Sequence, residues 1–152
     1  MNGSALKLRR AVEKHKVIAF DTAPFIYYIE DVAPYADLLD SVFALINDRT
    51  VAAVTSVVTL SEILAKPLAD KNFSLAEEIK FTLKALASLS IVSIDEKLAE
   101  AAALIRVRYK IRLPEAFQIA AALQGGATLF LTNDKAVKKI DATEVLVLSE
   151  YV

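Results

Sequence analysis

The stretch VIAFDTAPFIYYIE, residues 17–30, decides the fold class of this chain. Its first part, residues 17–20, is entirely apolar, which is typical of a short strand buried on both faces. Asp21 follows at once, and Thr22 then begins a mostly apolar segment that ends at Glu30. The stretch therefore predicts a buried strand, a carboxylate at its carboxyl end and a helix directly behind it.

The alternation of strands and helices continues along the chain. Further strands are predicted at 51–56, 90–94, 127–131 and 144–148, and helices at 5–15, 35–48, 57–65, 74–88, 96–110, from Pro114 to Gly125, and briefly after Asp134. The helix at 57–65 is expected to end before Pro67, because the residue ahead of a proline disfavours the helical conformation. Short apolar strands separated by helices predict an α/β fold with a mostly parallel central sheet flanked by helices.

The composition indicates one domain spanning residues 1–152. With 55% hydrophobic and 24% charged residues, the chain is too apolar for disorder and has a usual length for one domain. It has no cysteine, which leaves no disulfide and no thiolate zinc site and suits a reducing compartment such as the cytoplasm. No apolar stretch approaches the roughly 20 residues of a membrane helix, so we expect a cytoplasmic protein without membrane contact.

A formal net charge of −1 leaves only a local patch for binding nucleic acid. The sequence RVRYKIR provides such a patch, with cations at Arg106, Arg108, Lys110 and Arg112. Cations are also favoured in the last turn of a helix by the helix dipole. The run is therefore either a solvated helix end or a stripe that binds phosphates.

Four acidic residues follow the predicted strands or lie in the helices behind them: Asp21, Glu62, Glu115 and Asp134. Ligands of an open parallel sheet bind beyond the carboxyl ends of its strands, so we expect these acids at one edge. Two carboxylates about 4 Å apart repel by roughly 4 kcal/mol at an effective dielectric constant of 20, and a cluster of them binds protons or a cation. Oxygen ligands without cysteine favour Mg²⁺ or Mn²⁺ over zinc.

Each of these acids also has a purely structural interpretation. Asp21 and Asp134 can cap the helices that follow them. Glu62 can belong to a solvated helix face, and Glu115 can complement the dipole of the helix that it begins. One shared site explains all four positions together, and we predict a metal site there.

Three stretches carry a resemblance to a known family. AFDTAPFIYYIE (19–30), TSVVTLSEIL (55–64) and LPEAFQIAAALQGGATLFLTND (113–134) resemble the successive motifs of the PIN domain, particularly those of the VapC-type toxin ribonucleases of toxin–antitoxin pairs. The match runs in the family's order over nearly the whole chain.

The resemblance implies a parallel sheet of about five strands whose acidic residues bind Mg²⁺ or Mn²⁺ for the hydrolysis of RNA. It implies that the acids carry metal binding and catalysis, with Thr22, Thr132 and Asn133 as polar neighbours that orient the ligands or the attacking water. The family usually has Asp where this chain has Glu115, whose extra methylene moves the carboxylate by about 1.5 Å.

The resemblance also implies partners. The RNA backbone would lie against the basic run, a small antitoxin protein would cover the acidic pocket with its tail, and the chain would form a homodimer. Apolar and aromatic residues within 25–39 can serve such contacts or belong to the core.

Two other functions are compatible with parts of the pattern. A PIN fold that has lost catalysis can act as a protein-interaction module, with Glu115 as the sign of that loss. A phosphotransferase with Asp21 as nucleophile would need a second Asp two residues later, where this chain has Ala23. A phosphate-binding P-loop is absent, because Gly125 and Gly126 precede a strand instead of following one.

Overall fold

The predicted strand at residues 17–20 forms the centre of a parallel sheet. The computed structural model describes all residues from 1 to 152. Its strands are β1 (Val17–Phe20), β2 (Ala52–Ser56), β3 (Leu89–Val92), β4 (Leu129–Thr132) and β5 (Glu144–Val147). Its helices are α1 (Gly3–Val12), α2 (Thr22–Ile29), α3 (Tyr35–Asn47), α4 (Val57–Ala69), α5 (Phe73–Ala85), α6 (Glu96–Tyr109) and α7 (Leu113–Gln124), with two 3₁₀ segments at Lys135–Lys139 and Leu148–Tyr151.

The sheet has the order β3-β2-β1-β4-β5, and all neighbouring strands are parallel. The α/β prediction with about five parallel strands is therefore confirmed. In the register, Ala19 of β1 lies beside Val54 of β2 and Phe130 of β4. The carboxyl end of β1 consequently lies between those of β2 and β4. The residue after β1 therefore lies in the middle of the side of the sheet formed by the carboxyl ends of the strands, which is called the sheet edge below.

Side chains of β1 alternate between two hydrophobic layers. Ile18 and Phe20 belong to the larger core, where the ring of Phe20 stacks on Phe43 at 5.2 Å. Ala19 belongs to the second layer, on the other face of the sheet. Because successive side chains of a strand point to opposite faces, a strand covered on both sides must be apolar throughout. This explains the uninterrupted apolar run.

The apolar stripe within residues 25–39 is chiefly core. Phe25 and Leu39 are fully buried, and Tyr27 stacks on Tyr35 with ring centroids 4.6 Å apart. No helix of the protein combines the length and the apolar character needed to cross a bilayer.

The predicted end of the fourth helix before Pro67 is wrong. α4 continues to Ala69 with Pro67 buried inside it. Pro67 lies in the last turn, where its missing N–H and its ring disturb only the carbonyl of Ile63. Ile63 and Pro67 lie one turn apart on the buried face of α4, so apolar packing compensates for the lost hydrogen bond.

Other boundaries differ from the predicted ones by three residues or fewer, and polar side chains cap the helices that follow β2 and β3. Ser56 accepts a hydrogen bond from the N–H of Val58 at 3.2 Å, and Asp95 accepts one from Leu98 at 2.8 Å. Gly126 takes the left-handed conformation after α7, with φ of +77°.

Candidate active site

Asp21 occupies the middle of the sheet edge. Its N–H donates to the carbonyl of Leu131 at 3.0 Å, which extends the pairing of β1 with β4 by one residue. Its backbone then leaves the strand as the N-cap of α2, where Oδ1 accepts the N–H of Thr22 at 2.8 Å. Its other oxygen, Oδ2, accepts the hydroxyl of Thr132 at 2.9 Å. The carboxylate is thus held from both sides, and Asp21 caps α2, as its structural interpretation predicts.

The surroundings of Asp21 disfavour its negative charge. Burial raises the pKa of the Asp21 carboxyl, and the charges of Glu62 and Glu115 raise it further, while the hydrogen bonds from Thr22 and Thr132 act in the opposite direction. Asp21 has no Lys, Arg or His within ion-pair distance. A partly buried acid beside other acids, without a cationic partner, is a feature typical of functional sites.

Glu62 reaches the same edge from α4. The hydroxyl of Thr22 donates to its Oε1 at 2.9 Å. Thr22 therefore holds two carboxylates, Asp21 through its N–H and Glu62 through its hydroxyl.

Asp134 is connected to Asp21 through one side chain. The hydroxyl of Thr132 donates to Asp21 and accepts the N–H of Asp134 at 3.0 Å. Asp134 also caps the following 3₁₀ segment, because its Oδ1 accepts the N–H of Ala136 at 2.9 Å. Thr132 is fully buried, so its position is fixed by the core beneath the edge.

Glu115 is the only one of the four predicted site acids that has a cationic partner. Arg112, just before α7, donates to both of its oxygens at 2.6 and 3.2 Å. The Glu115 side chain is only 15% exposed, whereas that of Arg112 is 80% exposed. Hydrogen bonding to Glu115 raises the pKa of Arg112, and the charges of Glu115, Asp134 and Glu62 raise it further. The guanidinium therefore lies within the electrostatic influence of three of the four acids.

The four acids lie along one edge without forming a preassembled cage. No group of three or more acidic, histidine or cysteine side chains is placed to hold a metal ion by itself. Mg²⁺ is usually held by one or two carboxylates together with water and substrate phosphate oxygens, and it seldom has a cage made only of protein atoms. An oxygen-only donor set centred on the unpaired Asp21 fits that mode of binding in its chemistry.

The basic run divides into two parts. Lys110 and Arg112 line a cavity of about 220 Å³. Its wall also includes Glu115, Asp134 and Lys139.

The other two cations of the run lie elsewhere. Arg106 and Arg108 do not line this cavity, and Arg108 pairs instead with Asp141 at 3.6 Å. Lys139 was not predicted, because it is far from the run in sequence and reaches the cavity only through the turn after β4.

Asn133 was expected to orient the metal ligands or the attacking water, but its hydrogen bonds go to other residues. Its amide nitrogen donates to the hydroxyl of Tyr27 at 3.1 Å, and its oxygen accepts the N–H of Ser149 at 2.8 Å. It makes no hydrogen bond to any of the four acids. Its contacts attach α2 and the C-terminal segment to the end of β4.

Gln118 was missed by the sequence analysis. It is 2% exposed and lies one turn after Glu115 on α7. Its amide contacts Thr22, Thr59 and Ser56. A polar residue in the otherwise apolar run AFQIAAAL, three positions from a predicted site residue, was the available signal.

Comparison with known proteins assigns this architecture to a family. The sequence profile of the PIN domain matches residues 18–143. The chain belongs to the PIN domain family. The resemblance to the PIN domain is therefore confirmed. Solved structures support the VapC-like character.

Several solved structures share the fold. A toxin–antitoxin complex from Klebsiella pneumoniae superposes with a TM-score of 0.64 at 22% identity, over 86% of this chain and 97% of the other. VapBC2 from Rickettsia felis, bound to a DNA fragment from its promoter, gives 0.62 at 17% identity, over 86% and 98% of the two chains. VapBC-5 from Mycobacterium tuberculosis gives 0.54 at 25% identity, over 87% and 97%. No curated protein sequence matches the chain.

Proposed function

We propose that this PIN domain is the toxin of a toxin–antitoxin pair and hydrolyses phosphodiester bonds of RNA with Mg²⁺ or Mn²⁺. The observation that carries the proposal is Asp21, a partly buried carboxylate without a cationic partner at the centre of the sheet edge, whose pKa is raised by burial and by neighbouring acids. Membership of the PIN family and the likeness to VapBC structures support it.

The residues that would hold the metal are Asp21 and Asp134 chiefly, with Glu62 and Glu115 completing the pocket directly or through water. A bound divalent ion would supply an activated water molecule and stabilise negative charge on the phosphate. The protein's own contribution is orientation. Thr22 and Thr132 hold the carboxylates by hydrogen bonds, so that little rearrangement is needed when the ligands are used.

The cavity beside the acids supports an RNA substrate. Lys110, Arg112 and Lys139 provide three cations next to Glu115 and Asp134. A phosphodiester held by these cations would lie beside the carboxylates, and backbone contacts of this kind give affinity without reading the base sequence. Arg112 would exchange its pairing with Glu115 for one with phosphate.

Two protein partners belong to the same proposal. The solved structures with this fold include toxin–antitoxin complexes, and an antitoxin tail would inhibit the enzyme by covering the acidic pocket. A homodimer is the expected assembly, and light scattering of the purified chain tests it.

The test of the activity is incubation of the purified chain with a mixed pool of single-stranded RNA in Mn²⁺, Mg²⁺ or EDTA, with sequencing of the new ends. We expect cleavage in either metal and none in EDTA. Asp21→Asn and Asp134→Asn should abolish it while remaining folded. Asp37→Asn, at an exposed acid of α3, is the matched control and should cleave normally. Equal cleavage by Asp21→Asn would contradict the proposal.

The catalytically inactive alternative is favoured by one observation, the ion pair of Glu115 with Arg112. In that case the pair would be purely structural. A Glu115→Asp variant distinguishes the two functions, since a shorter carboxylate releases Arg112 and restores the residue usual in the family. Activity in the variant but not in the parent chain would show that this chain has lost catalysis.

A further inference from the structure

A group of buried polar side chains lies directly beneath the acidic edge. It comprises residues that are at most 6% exposed, namely Thr22, Thr55, Ser56, Thr59 and Gln118. Buried polar groups cost free energy unless each is hydrogen-bonded. Each hydroxyl has a single hydrogen to donate and an amide has two, so the direction of every hydrogen bond in the group can be worked out.

Gln118 stands at the centre of this group. Its Nε2 donates to Thr22 Oγ1 at 3.2 Å and to Thr59 Oγ1 at 2.9 Å, and its Oε1 accepts the hydroxyl of Ser56 at 2.7 Å. Ser56 Oγ already accepts the N–H of Val58. Both amide hydrogens and the serine hydrogen are thus used.

The threonine hydrogens must then point away from Gln118. Thr22 Oγ1 accepts from the amide, so its hydrogen is directed at Oε1 of Glu62, 2.9 Å away, which is a closer acceptor than Oγ1 of Thr59 at 3.4 Å.

Thr59 behaves in the same way at the other branch. It passes its hydrogen to Thr55 Oγ1 at 2.7 Å, because Thr55 donates its own to the carbonyl of Phe20 at 3.1 Å. No hydrogen is left over.

The opposite orientation of the Gln118 amide would leave hydrogen-bonding groups without partners. If the oxygen of Gln118 faced the threonines, Thr22 or Thr59 would have to donate to it, and neither hydroxyl would receive a hydrogen from the amide. The hydroxyl of Ser56 would face an N–H group and have no acceptor. Ser56 is fully buried, so its unsatisfied hydroxyl would cost about 1–3 kcal/mol. The amide orientation with Nε2 toward Thr22 is therefore the stable one.

We propose that Gln118 is a positioning residue: its amide fixes the hydroxyl hydrogen of Thr22 on Glu62 and thereby holds this carboxylate, beside Asp21, in the orientation that receives a divalent cation. Gln118 touches neither metal nor substrate, and acts through Thr22. The part of the inference that concerns the cation rests on the proposed function, whereas the direction of the Thr22 hydrogen does not.

The test compares Gln118→Met, which keeps the length of the side chain and removes its donors, with Thr55→Val. Thr55 belongs to the same buried group but makes its hydrogen bonds to Phe20 and Thr59, not to Gln118 or Glu62, so the second variant controls for general loss of stability. Two quantities are measured: the ¹³C chemical shift of the Glu62 carboxyl carbon without metal at fixed pH, and the Mn²⁺ affinity by calorimetry.

We expect Gln118→Met to change the Glu62 shift and to weaken Mn²⁺ binding about tenfold or more, the usual effect of losing a group that orients a ligand. Thr22→Val should do the same, and the double variant should lose little beyond either single one. Thr55→Val should keep the wild-type shift and bind Mn²⁺ within twofold of wild type.

The outcomes separate the two claims. An unchanged Glu62 shift in Gln118→Met overturns the positioning role, whatever happens to metal binding. A changed shift in a protein whose wild type takes up no Mn²⁺ supports the role of Gln118 in orienting Thr22 and contradicts the proposed metal-dependent function. Equal losses of affinity in Gln118→Met and Thr55→Val would show that Gln118 is merely structural.

Discussion

Replacement of Gly125 by alanine is expected to destabilise the protein through one contact. Gly125 ends α7 with φ of −77°, a conformation that alanine adopts without strain. A Cβ atom there would lie 2.7 and 2.8 Å from the two methyl carbons of Val54 on β2. Carbon atoms pack at about 3.5–4.0 Å, so the helix end or the strand must move by nearly 1 Å.

The magnitude follows from two opposing terms. Overpacking of this kind costs about 1–3 kcal/mol, and the lower chain entropy of unfolded alanine returns about 0.4–1 kcal/mol. We expect a net loss of about 1–2 kcal/mol in the free energy of unfolding, or roughly 2–8 °C in Tm for a chain of this size. Urea unfolding followed by circular dichroism measures it.

A double-mutant cycle decides whether the contact is the cause. Val54→Ala removes the two methyl groups, so Gly125→Ala should cost little in that background, with a coupling of about 1 kcal/mol or more. Gly126→Ala is the matched control, because its Cβ would contact nothing while its φ of +77° disfavours alanine. Its cost should be the same with either residue at position 54. An equal cost of Gly125→Ala in both backgrounds would refute the reasoning.

Three further predictions concern the acidic edge. Because burial raises the pKa of Asp21 above 3.8, the folded state binds this proton more tightly than the unfolded state; metal-free protein should lose stability as pH rises from about 3.8 through the raised pKa, and urea titrations of Asp21→Asn should lack this loss. Thr132→Val should lower the free energy of unfolding by about 2 kcal/mol, since Asp21 loses a donor and the N–H of Asp134 an acceptor; an unchanged urea midpoint would contradict this. Arg112→Ala should lower the free energy of unfolding slightly, because the Glu115 carboxylate, which is only 15% exposed, loses both hydrogen bonds from Arg112; it should also reduce the salt dependence of RNA binding by about 0.7 in log–log slope, as measured by fluorescence anisotropy.

The sheet was predictable chiefly from its inner strands, β1, β2 and β4, which are almost entirely buried. The residues of β1 contact a hydrophobic layer on both faces, so no polar residue is tolerated and the run stands out. The end of α4 was not predictable in this way. The conformational preference before Pro67 is a local effect, and the burial of Pro67 against the core, which outweighs it, depends on residues far away in sequence.

At the acidic edge, too, some features could be predicted from the sequence and others could not. Asp21 and Asp134 follow strands directly, so their convergence can be deduced from a parallel sheet alone. The pairing of Glu115 with Arg112 depends on side-chain conformations at the start of α7, and the entry of Lys139 into the same cavity depends on the path of the turn after β4. Gln118 escaped notice because its importance comes from partners on other elements, Ser56, Thr59 and Thr22.

The packing of α1 determines how much of the chain is needed for folding. Leu8 and Val12 of α1, and Leu148 near the other terminus, are fully buried members of the largest core cluster, yet all three lie outside residues 18–143. A fragment trimmed to the family boundaries would expose this apolar surface and be prone to aggregation. The amino group of Lys7 lies 5.4 Å from the ring centre of Tyr151, so the two segments outside the family boundaries also stabilise each other.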